Sequence, residues 1–126
     1  MNYVMLAFLL LLPAGADGED LNKLLARAQE LHSTGDLVEA AGLFGGVLRS
    51  EPENIFALKQ LGLIEAKRGD FVSAQRRFEA VLSSNSRDVF ALTWLGIAQL
   101  KFEQVDQALE TFQRLAGIDP ENPDAY

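Results

Sequence analysis

The stretch IFALKQLG at 55–62 returns as VFALTWLG at 89–96, a shift of 34 residues that keeps Ala57, Leu58, Leu61 and Gly62 in register with Ala91, Leu92, Leu95 and Gly96. Outward from this pair, the same period carries Gly35-Asp36 onto Gly69-Asp70. It also links Ala40, Ala74 and Ala108, and then Phe44, Phe78 and Phe112. A period of this length marks a supersecondary unit too small to bury its own apolar face, so copies must stack. Three copies fit, at about 21–54, 55–88 and 89–122.

Each copy holds two stretches of helical spacing around a turn signal. In the first, Leu24, Leu25, Ala28 and Leu31 precede Thr34-Gly35-Asp36, and Ala40, Leu43, Phe44, Val47 and Leu48 follow it. Gly35 and Gly69 suit a left-handed residue just past a helix. Asp36 and Asp70 can cap the next one, and Glu39 would complete a capping box in the first copy. Gly62 and Gly96 in the first helices, with Ala74 and Ala108 in the second, allow close backbone approach, and Phe78 and Phe112 fill the space beside them.

These residues resemble the tetratricopeptide repeat. Its pattern of small and large positions is met by Leu58, Leu61, Gly62, Ala74, Phe78 and Val81, and again by Leu92, Leu95, Gly96, Ala108, Phe112 and Pro120. The resemblance covers Leu21 to Asn122. It implies an all-α, right-handed solenoid of antiparallel helix pairs and a scaffold that binds other proteins. Glu103 departs from it where the other turns have glycine, Ser86 where Pro52 and Pro120 close their copies, and Glu65 and Gln99 where a large aromatic is usual. The first copy lacks the Leu-Gly pair, and its Gly42, Gly45 and Gly46 each cost about 1 kcal/mol against alanine.

In the implied fold the first helices line a concave groove. Its positions map onto Phe56, Lys59, Gln60, Leu63, Ala66 and Lys67, then Phe90, Thr93, Trp94, Ile97, Leu100 and Lys101. Such a groove is apolar and aromatic with three lysines, which suits a protein or peptide partner with apolar anchors and some acidic character. Phe56 and Phe90 have two readings, lining the groove or packing inside the stack. The family's clamp for a chaperone's C-terminal carboxylate uses basic and amide residues. Here the matching places hold Leu25, Gln29, Gln60, Phe90 and Trp94, so that ligand is not expected.

Composition narrows the rest. In 126 residues, 48% of them hydrophobic, nothing divides the chain into two domains, and one compact unit is expected. A net charge of −7 repels phosphate, which argues against nucleic acid as a partner. With no cysteine there is no disulfide or thiolate metal site, and no phosphate loop, dinucleotide fingerprint or zinc-protease motif occurs. His32 is the single histidine, and its neighbour Ser33 points about 100° away on a helix, so no hydrolase arrangement forms. The expectation is a protein that is not an enzyme and needs no cofactor or metal.

The two termini add expectations of their own. Tyr3 to Leu12 is an apolar run, Pro13 breaks it, and Ala14-Gly15-Ala16 offers a signal-peptidase site. Residues 1–16 then read as a signal peptide and 17–126 as the repeat domain of a periplasmic or secreted protein. The run spans only about half a bilayer core, too little for a stable membrane anchor. At the other end Asn122-Pro123 is a helix start, so 123–126 read as the opening of a fourth copy. An apolar end left uncapped there would favour self-association. Two alternatives stay open, the N-terminal portion of a larger enzyme and a self-associating module.

Overall fold

The computed structural model describes residues 18–118, with side chains from Leu21 onward. The expected signal peptide at 1–16 and the start of a fourth copy at 123–126 lie outside the described residues. Six α-helices follow one another: α1 Gly18–Ser33, α2 Leu37–Ser50, α3 Ile55–Lys67, α4 Phe71–Ser84, α5 Val89–Lys101 and α6 Val105–Ala116. Strands are absent among the described residues, and no described helix is long and apolar enough to cross a membrane.

The described residues group into two compact units, divided between Pro52 and Glu53. In the first, α1 and α2 form a helical hairpin, with Ala28, Ala40, Phe44 and Val47 wholly buried. In the second, α3 pairs with α4 and α5 with α6, while α4 packs on α5 and α3 touches α5. Leu58, Leu61, Ile64, Phe78 and Val81 bury themselves there with Leu92, Leu95 and Ala108.

Close helix approach within each hairpin of the second unit depends on glycine. A Cβ at Gly62 would stand 2.9 Å from Cζ of Phe78, and one at Gly96 only 2.6 Å from Cζ of Phe112. Both lie inside van der Waals contact, so the phenylalanine rings occupy the room that a side chain would need. Ala28 holds the corresponding place in the first unit.

All three hairpin turns share one hydrogen-bond pattern. Asp36, Asp70 and Gln104 donate their backbone N–H to the carbonyls of Leu31, Glu65 and Gln99 at 2.8, 2.9 and 2.8 Å. This six-to-one bond requires a left-handed residue inside it. Gly35 and Gly69 supply it at φ 86° and 82°, and Glu103 adopts it at φ 60° despite its side chain. The caps that follow differ. Asp70 accepts the N–H of Ser73 at 3.2 Å as expected. Asp36, however, makes no side-chain cap, so the expected capping box with Glu39 does not form.

The two departures late in the first helices prove to be polar pairs at one register. Glu65 takes a two-pronged contact from Arg77, Nε to Oε1 at 3.0 Å and Nη2 to Oε2 at 3.4 Å. One period on, the Thr111 hydroxyl donates to Oε1 of the buried Gln99 at 2.7 Å. Each polar side chain on a first helix is matched by a donor on the second, as burial of a polar group demands. Arg77 thus pairs with Glu65 rather than with the acids beside it in sequence.

Candidate protein-binding groove

Helix starts position the groove. Asn54 caps α3 by accepting the N–H of Ala57 at 2.9 Å, and Asp88 caps α5 by accepting that of Ala91 at the same distance. Asp88 has a second oxygen to place. Its Oδ2 lies 2.6 Å from Nζ of Lys59 on α3, with the Asp88 side chain 7% exposed and that of Lys59 25%. This charge pair bridges the two first helices of the unit and holds Lys59 Nζ 5.7 Å from the centre of the Phe90 ring, within cation–π range.

From Phe90 an aromatic row runs in both directions. Its ring meets Phe78 of α4 edge-on at 6.1 Å and Trp94 at 6.4 Å, both within the range of favourable ring pairs. Phe90 is packed against Phe78 of the core on one side and lines open space on the other. Beside it lies a cleft of about 350 Å³ lined by Lys59, Asp88, Val89, Phe90, Thr93 and Trp94. The Thr93 hydroxyl is turned back onto the carbonyl of Val89 at 2.7 Å, so it has no proton to offer a ligand.

The remaining candidates spread out from this cleft. Phe56 is 42% exposed, while Gln60, Leu63 and Ile97 are half-buried. Lys67 and Lys101 are exposed in the last turns of α3 and α5, where positive charge suits the helix dipole. Leu100 is 49% exposed, but Ala66 is buried and does not line a surface. Lys59, one of the three lysines assigned to the groove, is paired with Asp88. Sequence reasoning passed over Asp88, whose only signal was its place one period after Asn54. Among the described residues no group of three potential metal ligands occurs.

Against known proteins, the sequence profile described as Tetratricopeptide repeat matches residues 59–123. The chain belongs to the tetratricopeptide repeat family. Its fold is accordingly an all-α array of helical repeats, a family fold that serves as a protein-binding scaffold. None of the curated proteins matches the chain in sequence. Among solved structures, MamA 41-end from Desulfovibrio magneticus RS-1 is 28% identical at a TM-score of 0.76, over 83% of this chain and 59% of that one. The MamA RS-1 ArsTM double mutant is 27% identical at 0.77, over 84% and 60%. The chain thus spans about three fifths of these two MamA chains. The first TPR of Spaghetti (RPAP3), solved bound to the HSP90 peptide SRMEEVD, superposes at 0.76 over 87% of both chains, with 16% identity. At that identity the likeness is one of fold.

Proposed function

We propose that this tetratricopeptide repeat protein is an exported adaptor that captures a protein or peptide segment in the groove of α3 and α5, and that it acts by display rather than catalysis. The observation that carries the reading is the cleft of about 350 Å³ between Lys59 and Trp94, apolar and aromatic on a chain of net charge −7. An apolar anchor of the partner enters beside Phe90 and Trp94. The half-buried Leu63 and Ile97 continue the apolar strip. Lys67 and Lys101 attract acidic residues flanking the anchor, whereas Lys59 is already matched by Asp88. The charge pair and ring stack preform the cleft, which limits the ordering cost of binding. Support for a protein partner comes from the family and from a fold neighbour that holds a peptide.

The apolar run at 3–12 followed by Ala14-Gly15-Ala16 supports export, to the periplasm or outside the cell, and work in assembling an envelope, secretion or export complex. A second reading, self-association, draws on α6, where Val105 and Leu109 are 61% and 58% exposed. A photoreactive residue at position 94, irradiated in the native compartment, tests the groove. Trp94→Ala with Lys101→Glu should abolish the crosslinked partner with helical content intact, and undiminished capture would refute the groove. Mass spectrometry of the isolated protein should find Asp17 as its first residue. A molar mass that rises with concentration and falls with Leu109→Lys would favour the second reading.

A further inference from the structure

A second cleft of about 350 Å³ opens away from the groove, where α4 and α6 flank α5. Leu82 of α4 and Leu95 of α5 give it an apolar floor, and both are buried. Gln99 and Thr111 add a hydrogen-bonded polar strip. Glu79 and Glu110 stand on the two sides, one on each flanking helix. At the corresponding register one period earlier the pair is Glu65 with Arg77, whereas here it is Gln99 with the shorter Thr111.

Two carboxylates and one guanidinium set the charge at its mouth. The carboxylates of Glu79 and Glu110 take part in no ion pair among the described residues. Arg114 also lines the cleft, but its Nη2 donates to the carbonyl of Ser86 at 3.1 Å, in the loop that leads into α5. Two carboxylates share the cleft with one guanidinium, whose charge the bond to a neutral carbonyl leaves in place, so the lining carries one net negative charge. A ligand matching this site has an apolar stem to lie on Leu82 and Leu95 and a cationic head to meet the carboxylates at the mouth. Arginine and lysine side chains have that form.

We infer that the α4–α5–α6 cleft is a second binding site, which receives an arginine or lysine side chain from a basic segment of a partner protein. Its ligand is opposite in charge to the acidic one suited to the groove, so one chain can hold two unlike segments on different surfaces.

The test is an NMR titration of the full chain, reading the amides of Gln99, Gln107 and Thr111, with three capped tripeptides: Gly-Arg-Gly, Gly-Lys-Gly and Gly-citrulline-Gly. Citrulline keeps the shape of arginine and removes the charge. The arginine and lysine peptides should shift these signals and saturate, with citrulline at least tenfold weaker. Glu79→Gln with Glu110→Gln, both exposed and checked for unchanged helical content, should weaken the arginine peptide at least tenfold. Trp94→Ala should leave it unchanged. Equal binding of citrulline, indifference to the double substitution, or tighter binding of free spermidine than of the arginine peptide would each overturn the assignment.

Discussion

Asp88 serves two helices with its two oxygens, and two substitutions separate those services. Asp88→Asn keeps an acceptor for the N–H of Ala91, as Asn54 does for Ala57 at the same register, but removes the charge that faces Lys59. Asp88→Ala removes both. Loss of an N-cap costs about 1 kcal/mol. A hydrogen bond to a charged group contributes about 1.5–3 kcal/mol, and the lower end applies here because Lys59, 25% exposed, can turn its ammonium to water. The expected losses are about 1.5 kcal/mol for Asp88→Asn and about 2.5 kcal/mol for Asp88→Ala. Urea unfolding followed by circular dichroism would read both at constant slope. Combined with Lys59→Met, Asp88→Asn should show a coupling of about 1 kcal/mol in a double-mutant cycle. If Asp88→Asn lies within about 0.5 kcal/mol of the unaltered protein, or no better than Asp88→Ala, the two-oxygen argument fails.

Alanine at the glycines should act in opposite directions. At Gly42 and Gly45 an added Cβ meets nothing within 4 Å, so each substitution should raise stability by about 0.5–1 kcal/mol in urea unfolding. At Gly62 the ring of the wholly buried Phe78 blocks it, and an overpacking cost of about 1–3 kcal/mol should exceed the gain in helix propensity. Glu103→Gly relieves a left-handed residue and should raise the thermal midpoint, whereas Glu103→Ala, which keeps a Cβ at φ 60°, should not. Hydrogen bonds from the Ser73 hydroxyl and N–H, helped by Arg76 and Arg68, hold the Asp70 carboxyl below its ordinary range. A depressed folded value means the contribution is present above the unfolded value near pH 4 and fades as pH falls through the folded one. Asp70→Asn should accordingly flatten the acid limb of the urea midpoint below about pH 4, and an unchanged limb would count against the cap.

Periodicity in the chain was enough to locate every described helix. The helices α3 and α5 begin at Ile55 and Val89, one period apart, because small and large residues at fixed spacing admit only one way of pairing two helices. Left-handed turns were equally legible at Gly35 and Gly69, since glycine carries no penalty there. Glu103 was not, because its backbone is set by the six-to-one bond from Gln104 to Gln99 rather than by its own preference.

The groove was readable as a strip of surface, not as a site. Spacing alone put Phe56, Lys59, Phe90 and Trp94 on first helices. What each does depends on neighbours supplied by another helix, which spacing within one helix does not encode. Only the tertiary structure tied Lys59 to Asp88, set Phe90 between Phe78 and Trp94, and matched Glu65 to Arg77 and Gln99 to Thr111. The repeat determined that this protein is built of helical hairpins, because backbone pairing follows from side-chain size. Charges and rings find their partners across the hairpins, at distances fixed only once the helices have packed, and those partners decide which lysines stay free and which clefts stay open.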